Sequence, residues 1–192
     1  MIVIGLIVIV SLTTHRSVTI ISDPDNLAGI ERGDAPWAAE LTYLRERLNQ
    51  IGLPALSQEG TALHIHQHLD IFVNGKPVAV PVGVGVNESS GFISDIHIHD
   101  NTGIIHVEAP VIQDFTLGQF FDIWGVRFTL KCIGGYCRQD DKALKLFVNG
   151  ALYSGDPRQL ILKNHQEIVV AYGTDQELPN LIPSAYTFPA GY

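Results

Sequence analysis

Two spacings of apolar residues divide this chain. Trp37, Leu41, Leu44, Leu48 and Ile51 recur at intervals of three and four, with Arg45, Glu46, Arg47 and Asn49 between them. That spacing predicts an amphipathic helix over about Pro36 to Ile51 with one stripe to pack. Asp34 is placed to cap its start, and Gly52 and Pro54 to close it. From Thr61 onward the period becomes two. Leu63 to Val73 alternates and ends on Asn74-Gly75, a hairpin signal, with Pro77 to Val82 as the return strand. The same device recurs as Leu144 to Val148, Asn149-Gly150 and Ala151 to Tyr153, and Ile161-Leu162 and Glu167 to Tyr172 read as later strands. Thr116 can cap a short helix over Leu117 to Ile123, whose Phe120, Phe121 and neighbouring Trp124 belong to a core. The pattern predicts an all-β fold over residues 61–192, an antiparallel sandwich or open barrel, with one N-terminal amphipathic helix and one short helix.

The alternation also sorts the histidines. In the first strand His64, His66, His68 and Asp70 share one face, and Ile65, Leu69, Ile71 and Val73 share the other. In Ser94 to His99, Asp95, His97 and His99 alternate with Ile96 and Ile98. In Ile104 to Ala109, His106 and Glu108 alternate with Ile105 and Val107. Three segments obey one rule: aliphatic side chains inward, imidazole or carboxylate on the opposite face.

Register follows from that rule. Asp100-Asn101-Thr102-Gly103 is a turn sequence joining the second and third segments. A one-residue slip would carry one strand's aliphatics to the wrong side. The apolar residues coincide only if 97 lies opposite 106, 95 opposite 108 and 99 opposite 104. Opposed side chains start about 4.5–5.5 Å apart at Cβ, so His97 and His106 can hold one ion. Asp95 opposite Glu108 is unfavourable unless a cation or a shared proton lies between them, or unless both acids orient imidazoles from behind.

A single histidine in a strand is ordinarily a polar surface residue, and a pH-sensing face would also use imidazoles. Six on one face of three strands differ, because chance alternation would scatter them between faces. The expected ligands are therefore His64, His66, His68, His97, His99 and His106, with Asp70, Asp95 and Glu108 behind them. The expected cofactor is a divalent ion, zinc or copper, which suit imidazole. His15 and His165 stand alone and read as surface residues.

Composition narrows the setting. Twelve Lys and Arg against 20 Asp and Glu give a net charge of −8, and the basic residues form no cluster, which excludes nucleic acid as a partner. Met1 to Leu12 is apolar and uncharged but shorter than the roughly 17–25 residues of a membrane span. Residues 1–21 thus read as a signal peptide or a membrane anchor, 22–60 as a spacer plus the amphipathic helix, and 61–192 as the β-rich, histidine-bearing domain. Cys132 and Cys137, with Gly-Gly between them, read first as a disulfide in an exported chain, and second as soft metal ligands without a neighbouring histidine. The expected location is extracytoplasmic, secreted or held to a membrane through the N-terminus.

No Gly-x-Ser-x-Gly, phosphate loop or dinucleotide fingerprint is present. Ligands without a general base point to a binding or structural metalloprotein rather than an enzyme. The alternatives are a cupin-like metalloenzyme and a scaffold subunit, homo-oligomeric or part of a surface assembly. Residues 64–75 (HIHQHLDIFVNG), 97–106 (HIHDNTGIIH) and 115–125 (FTLGQFFDIWG) resemble stretches of a group of exported bacterial proteins over roughly 35–192, which implies export and transfers no activity. His64, His66 and Gly75 are weakly similar to the first motif of the cupins, although Asp70 stands where that motif has Glu and the second motif lacks its His.

Overall fold

The computed structural model of the chain describes residues 23–192. The signal or anchor expected over 1–21 lies outside the described residues. Among the described residues no helix is long and apolar enough to cross a membrane.

The longest alternating run becomes the longest strand, β1 (Leu63–Val73). It turns on Asn74 at φ 50° and Gly75 at φ 76°, the paired left-handed residues a two-residue hairpin needs. The return strand β2 (Lys76–Val78) is shorter than expected. Beyond it the chain leaves β1, and Gly83 and Val84 bond Ile98 instead, at 3.1 and 2.9 Å. The small hairpin of β3 (Val86–Asn87) and β4 (Phe92–Ile93) leads to β5 (Ile96–His97) and β6 (Ile104–Ala109). Cys132 and Cys137 are disulfide-bonded across a hairpin of β7 (Cys132–Ile133) and β8 (Tyr136–Cys137). The second Asn-Gly turn joins β9 (Ala143–Val148) to β10 (Ala151–Leu152), and β11 (Glu167–Gly173) follows. Ile161 makes only a single bridge, to Thr116.

The main sheet has seven strands in the order β10-β9-β11-β1-β6-β5, with β2 also on β1. Its architecture corrects the antiparallel expectation. β1 and β11 run parallel, with His68 opposite Glu167 and Val73 opposite Tyr172, so the sheet is mixed. Among the described residues no barrel closes, and the layer over the aliphatic face is built from helices rather than a second large sheet.

The first helix, α1, spans Leu44–Ile51 and is half the expected length. Asp34 does not cap it. The Glu40 carboxylate instead accepts from the amides of Thr42 and Tyr43, a turn that delays the helix, and Gly52 closes it at φ 74° as expected. The second helix, α2 (Leu117–Trp124), starts on a Thr116–Gln119 capping box. Leu44, Leu48 and Ile51 of α1 and Phe120, Phe121 and Trp124 of α2 share one core with Ile71, Ile96, Ile105, Val107 and Ile168 of the sheet. Each such side chain contributes about 1.5–3 kcal/mol on burial. That core fixes which way β1, β5 and β6 face. On the opposite side Phe147, Val169 and Ala171 pack with Phe72, Leu178 and Ile182, so the C-terminal segment crosses the histidine-bearing face.

Candidate metal centre

Successive strand residues point to opposite faces. Sinking Ile65, Ile96, Ile105 and Val107 into the core therefore turns His64, His66, His97, His106 and Glu108 outward together. Pairing then aligns them. Between β1 and β6, His66 lies opposite His106 and His64 opposite Glu108; between β6 and β5, His106 lies opposite His97. The expected 97–106 register is the observed one, and His106 is the middle of a row of three imidazoles. Asp95 is buried level with Glu108, whose amide donates to the Asp95 carbonyl at 2.8 Å. The expected 99–104 pairing does not form, because after His97 the chain bonds residues 83 and 84. Gly85 permits that crossing: a Cβ there would lie 2.5 Å from the Ile96 carbonyl oxygen.

Five imidazoles meet. His64 Nε2 is 3.2 Å from His66 Nε2, and His97 Nε2 is 3.0 Å from His99 Nε2. Two imidazole nitrogens bound tetrahedrally to one zinc at about 2.0–2.1 Å would sit roughly 3.3 Å apart. The His106 ring lies 4.7 Å from that of His66, 4.6 Å from His99 and 5.4 Å from His97. Two sets of potential ligands overlap, His64–His66–His106–Glu108 and His97–His99–His106–Glu108, with donor atoms in each set within 4.8 Å of one another. His97 is fully buried, while the side chains of His64 and His99 are 54% and 41% exposed. The cluster thus has a buried floor and an open rim through which an ion can pass.

Neighbouring groups set the tautomers. His97 Nδ1 donates to the Ser94 carbonyl at 3.0 Å, which leaves its Nε2 lone pair facing His99. Such a hydrogen bond behind the ring is how a metal-binding imidazole is held. His106 Nδ1 lies 3.1 Å from Glu108 Oε1, and the same oxygen is 3.2 Å from His64 Nε2. Burial, and then the mutual repulsion of the rings, push His66 down to about 4 and His106 to about 3. Burial pushes His97 down to about 4, against the pull of its Ser94 hydrogen bond. All three are neutral at neutral pH, the form that binds metal. Burial raises the Glu108 carboxyl to about 7, helped by the charge and hydrogen bond of Glu59.

His68 stands apart from the five. Its Nδ1 is 2.8 Å from Glu167 Oε2 and its Nε2 3.0 Å from the Thr102 carbonyl oxygen. Burial alone would lower its pKa, but the hydrogen bond and charge of Glu167 outweigh it and hold it above the ordinary value. Asp70, half-buried, groups with His68 and Glu167 rather than with the cluster. His165 is exposed, its Nε2 3.0 Å from the Tyr192 carbonyl oxygen.

Sequence reasoning missed four neighbours of the site. Glu59 reaches His99 Nε2 at 3.2 Å from an aperiodic loop that offers no signal. Glu167 meets His68 only through the parallel β1–β11 pairing, which no local pattern announces. Tyr186 stacks on His68 at 3.8 Å, and Tyr192 lies 4.6 Å from the His66 ring; both come from a proline-rich segment without alternation.

Compared with protein-family models, curated proteins and solved structures, the chain matches none. Its function has to be read from its own residues.

Proposed function

We propose that this chain is an extracytoplasmic divalent-metal-binding protein that holds zinc or copper on His64, His66, His97, His99 and His106, with Glu108 as an oxygen ligand or as the carboxylate that orients His106. The observation that carries the reading is the row His66–His106–His97, extended by His64 and His99 into five imidazoles in ring contact. Neutral imidazoles buried against one another repel protons and attract a Lewis acid, and an imidazole-rich set suits zinc or copper. Each overlapping set offers three imidazoles and a carboxylate, one more than the three protein ligands common at catalytic zinc sites, which favours binding or storage over catalysis. The disulfide between Cys132 and Cys137 supports a place outside the reducing cytoplasm.

Metal content of the intact protein after loading with zinc or copper tests the site. The wild type and His165→Ala should retain stoichiometric metal and His106→Ala should lose it. Undiminished metal in His106→Ala would sink the reading. Free thiols at Cys132 and Cys137 in protein taken from its native host would overturn the location.

A further inference from the structure

The sheet holds a second group of potential ligands that the five-imidazole cluster does not use. His68 and Glu167 lie directly opposite each other on the parallel strands β1 and β11. Asp70, two residues beyond His68, shares their face. One donor atom from each of the three falls within 4.8 Å of the others. Neighbouring donors on one ion, each at roughly 2.0–2.3 Å, sit about 3–4 Å apart. His68 Nδ1 and Glu167 Oε2, at 2.8 Å, are already that close, and Asp70 has to draw in to complete the set.

Two further observations point to a cation. The carbonyl of Thr102 can only accept, so His68 Nε2 at 3.0 Å carries a proton and Nδ1 is the nitrogen turned to Glu167 Oε2 at 2.8 Å. An imidazole lone pair facing a carboxylate needs a cation between them, a proton or a metal. The Thr102 carbonyl is also the kind of backing that orients a metal-bound imidazole. The second observation is Glu167 itself, 1% exposed, whose Oε1 finds no hydrogen-bond donor, and whose carboxyl is pushed up first by burial and also by the neighbouring Asp70 carboxylate. A neutral imidazole with two ionised carboxylates carries a charge of −2 in a largely buried place, where the two acids crowd each other. A divalent ion would match that charge and give Oε1 a partner.

We infer that His68 Nδ1, Asp70 and Glu167 form a second divalent-cation site, harder in character than the histidine cluster. One imidazole and two carboxylates suit Mn²⁺, whereas five imidazoles suit zinc or copper. The chain would then sort two classes of metal on one sheet face, with Tyr186 stacked on His68 as the cover of the second site. This inference stands on different residues from the proposed function and does not depend on it.

The test uses the whole metal-free protein and Mn²⁺ alone, with the electron paramagnetic resonance signal of free Mn²⁺ as the measure of binding. Wild type and His97→Ala should bind one Mn²⁺ equally. Glu167→Gln, which keeps the side chain's shape, and Asp70→Asn should each weaken binding at least tenfold while leaving zinc in the cluster. Thermal melts confirm folding, and Asp70→Asn at its half-buried position serves should Glu167→Gln fail to fold. No Mn²⁺ bound by the wild type, or Mn²⁺ lost in His97→Ala but kept in Glu167→Gln, would overturn the second site. Neither result bears on zinc in the cluster, so the two readings fail separately.

Discussion

His97 and His106 face each other across adjacent antiparallel strands with their rings stacked at 5.4 Å and 13°. Because they would serve one ion, His97→Ala and His106→Ala should each cut zinc affinity by more than the roughly tenfold to hundredfold that follows loss of an orienting group. The double variant should be little worse than either single one, since groups sharing a partner are not additive. Isothermal titration of the four proteins measures the coupling. Small losses that add would show independent surface imidazoles.

The lowered imidazoles predict how the metal-free protein responds to acid. Unfolded histidines titrate near about 6.5, whereas His66 and His97 titrate at about 4 and His106 at about 3 in the fold. Below about 6.5 the unfolded chain binds protons that the folded cluster refuses, so stability is full above that pH and falls toward about 4. His68, held above its ordinary value by Glu167, Glu108, raised to about 7, and Glu167 and Asp122, both raised by burial, act in the opposite sense. Glu108 offsets one of the three imidazoles from about pH 7 down, because its folded carboxyl takes up a proton while the unfolded one is still ionised. Glu167 and Asp122 act mainly toward the lower end of this range, nearer the ordinary carboxyl values, so the fall is expected first between about pH 6.5 and 5. Urea unfolding of chelator-treated protein between pH 7 and pH 4.5 should show the loss, and saturating zinc should move it to lower pH. A flat profile without metal would contradict the packing of the cluster.

The strand register and the central histidines were legible because they are local. Ile96, Ile98, Ile105 and Val107 must share a face, and a turn of few residues between them leaves one workable alignment. Helix α2 was legible for a similar reason, since Thr116 and Gln119 lie within one turn. What escaped was non-local. Nothing in the run from Glu167 to Tyr172 shows that it pairs parallel to β1, so the sheet was expected to be antiparallel and the partner of His68 went unseen. The half-length α1 escaped because Trp37 and Leu41 keep helical spacing although their backbone is irregular. Trp37 is buried by packing on α2 and β8, in edge contacts with Trp124 and Tyr136, and Leu41 is partly buried against the same core.

Arg47 is one of the polar residues buried within that helical layer. Its side chain is fully buried and donates to the carbonyls of Asp122 at 2.7 Å, Ile123 at 3.0 Å and Ala28 at 3.1 Å, and to the Glu40 carboxylate. Burial alone would raise Glu40, but the hydrogen bond and charge of Arg47 outweigh it and hold the carboxyl below its ordinary range. Replacing Arg47 with Leu would strand those acceptors, and breaking a buried pair typically costs about 3–5 kcal/mol. Chemical denaturation of Arg47→Leu should show a loss of that order with zinc binding intact in the folded fraction. A loss under about 1 kcal/mol would show that water replaces the guanidinium, against the buried geometry.

Gly60 tests how the open rim of the cluster is held. Its amide donates to the Glu108 carbonyl at 3.2 Å, and Ala62 continues the contact to the Ala109 carbonyl at 3.1 Å. This pins the loop that carries Glu59 against the end of β6. A Cβ on Gly60 would lie 2.1 Å from the Ala109 carbonyl carbon and 2.3 Å from the Pro110 nitrogen. Those are backbone atoms, so either the loop or β6 must move, and overpacking of this kind costs about 1–3 kcal/mol. Either shift separates Glu59 from His99 or Glu108 from His64. Gly60→Ala should therefore lower both the melting temperature and zinc affinity without altering any ligand. Thr61→Ala, at the exposed neighbouring position, should change neither. If Gly60→Ala binds zinc as tightly as wild type while melting earlier, the loop braces the sheet and has no part in shaping the rim.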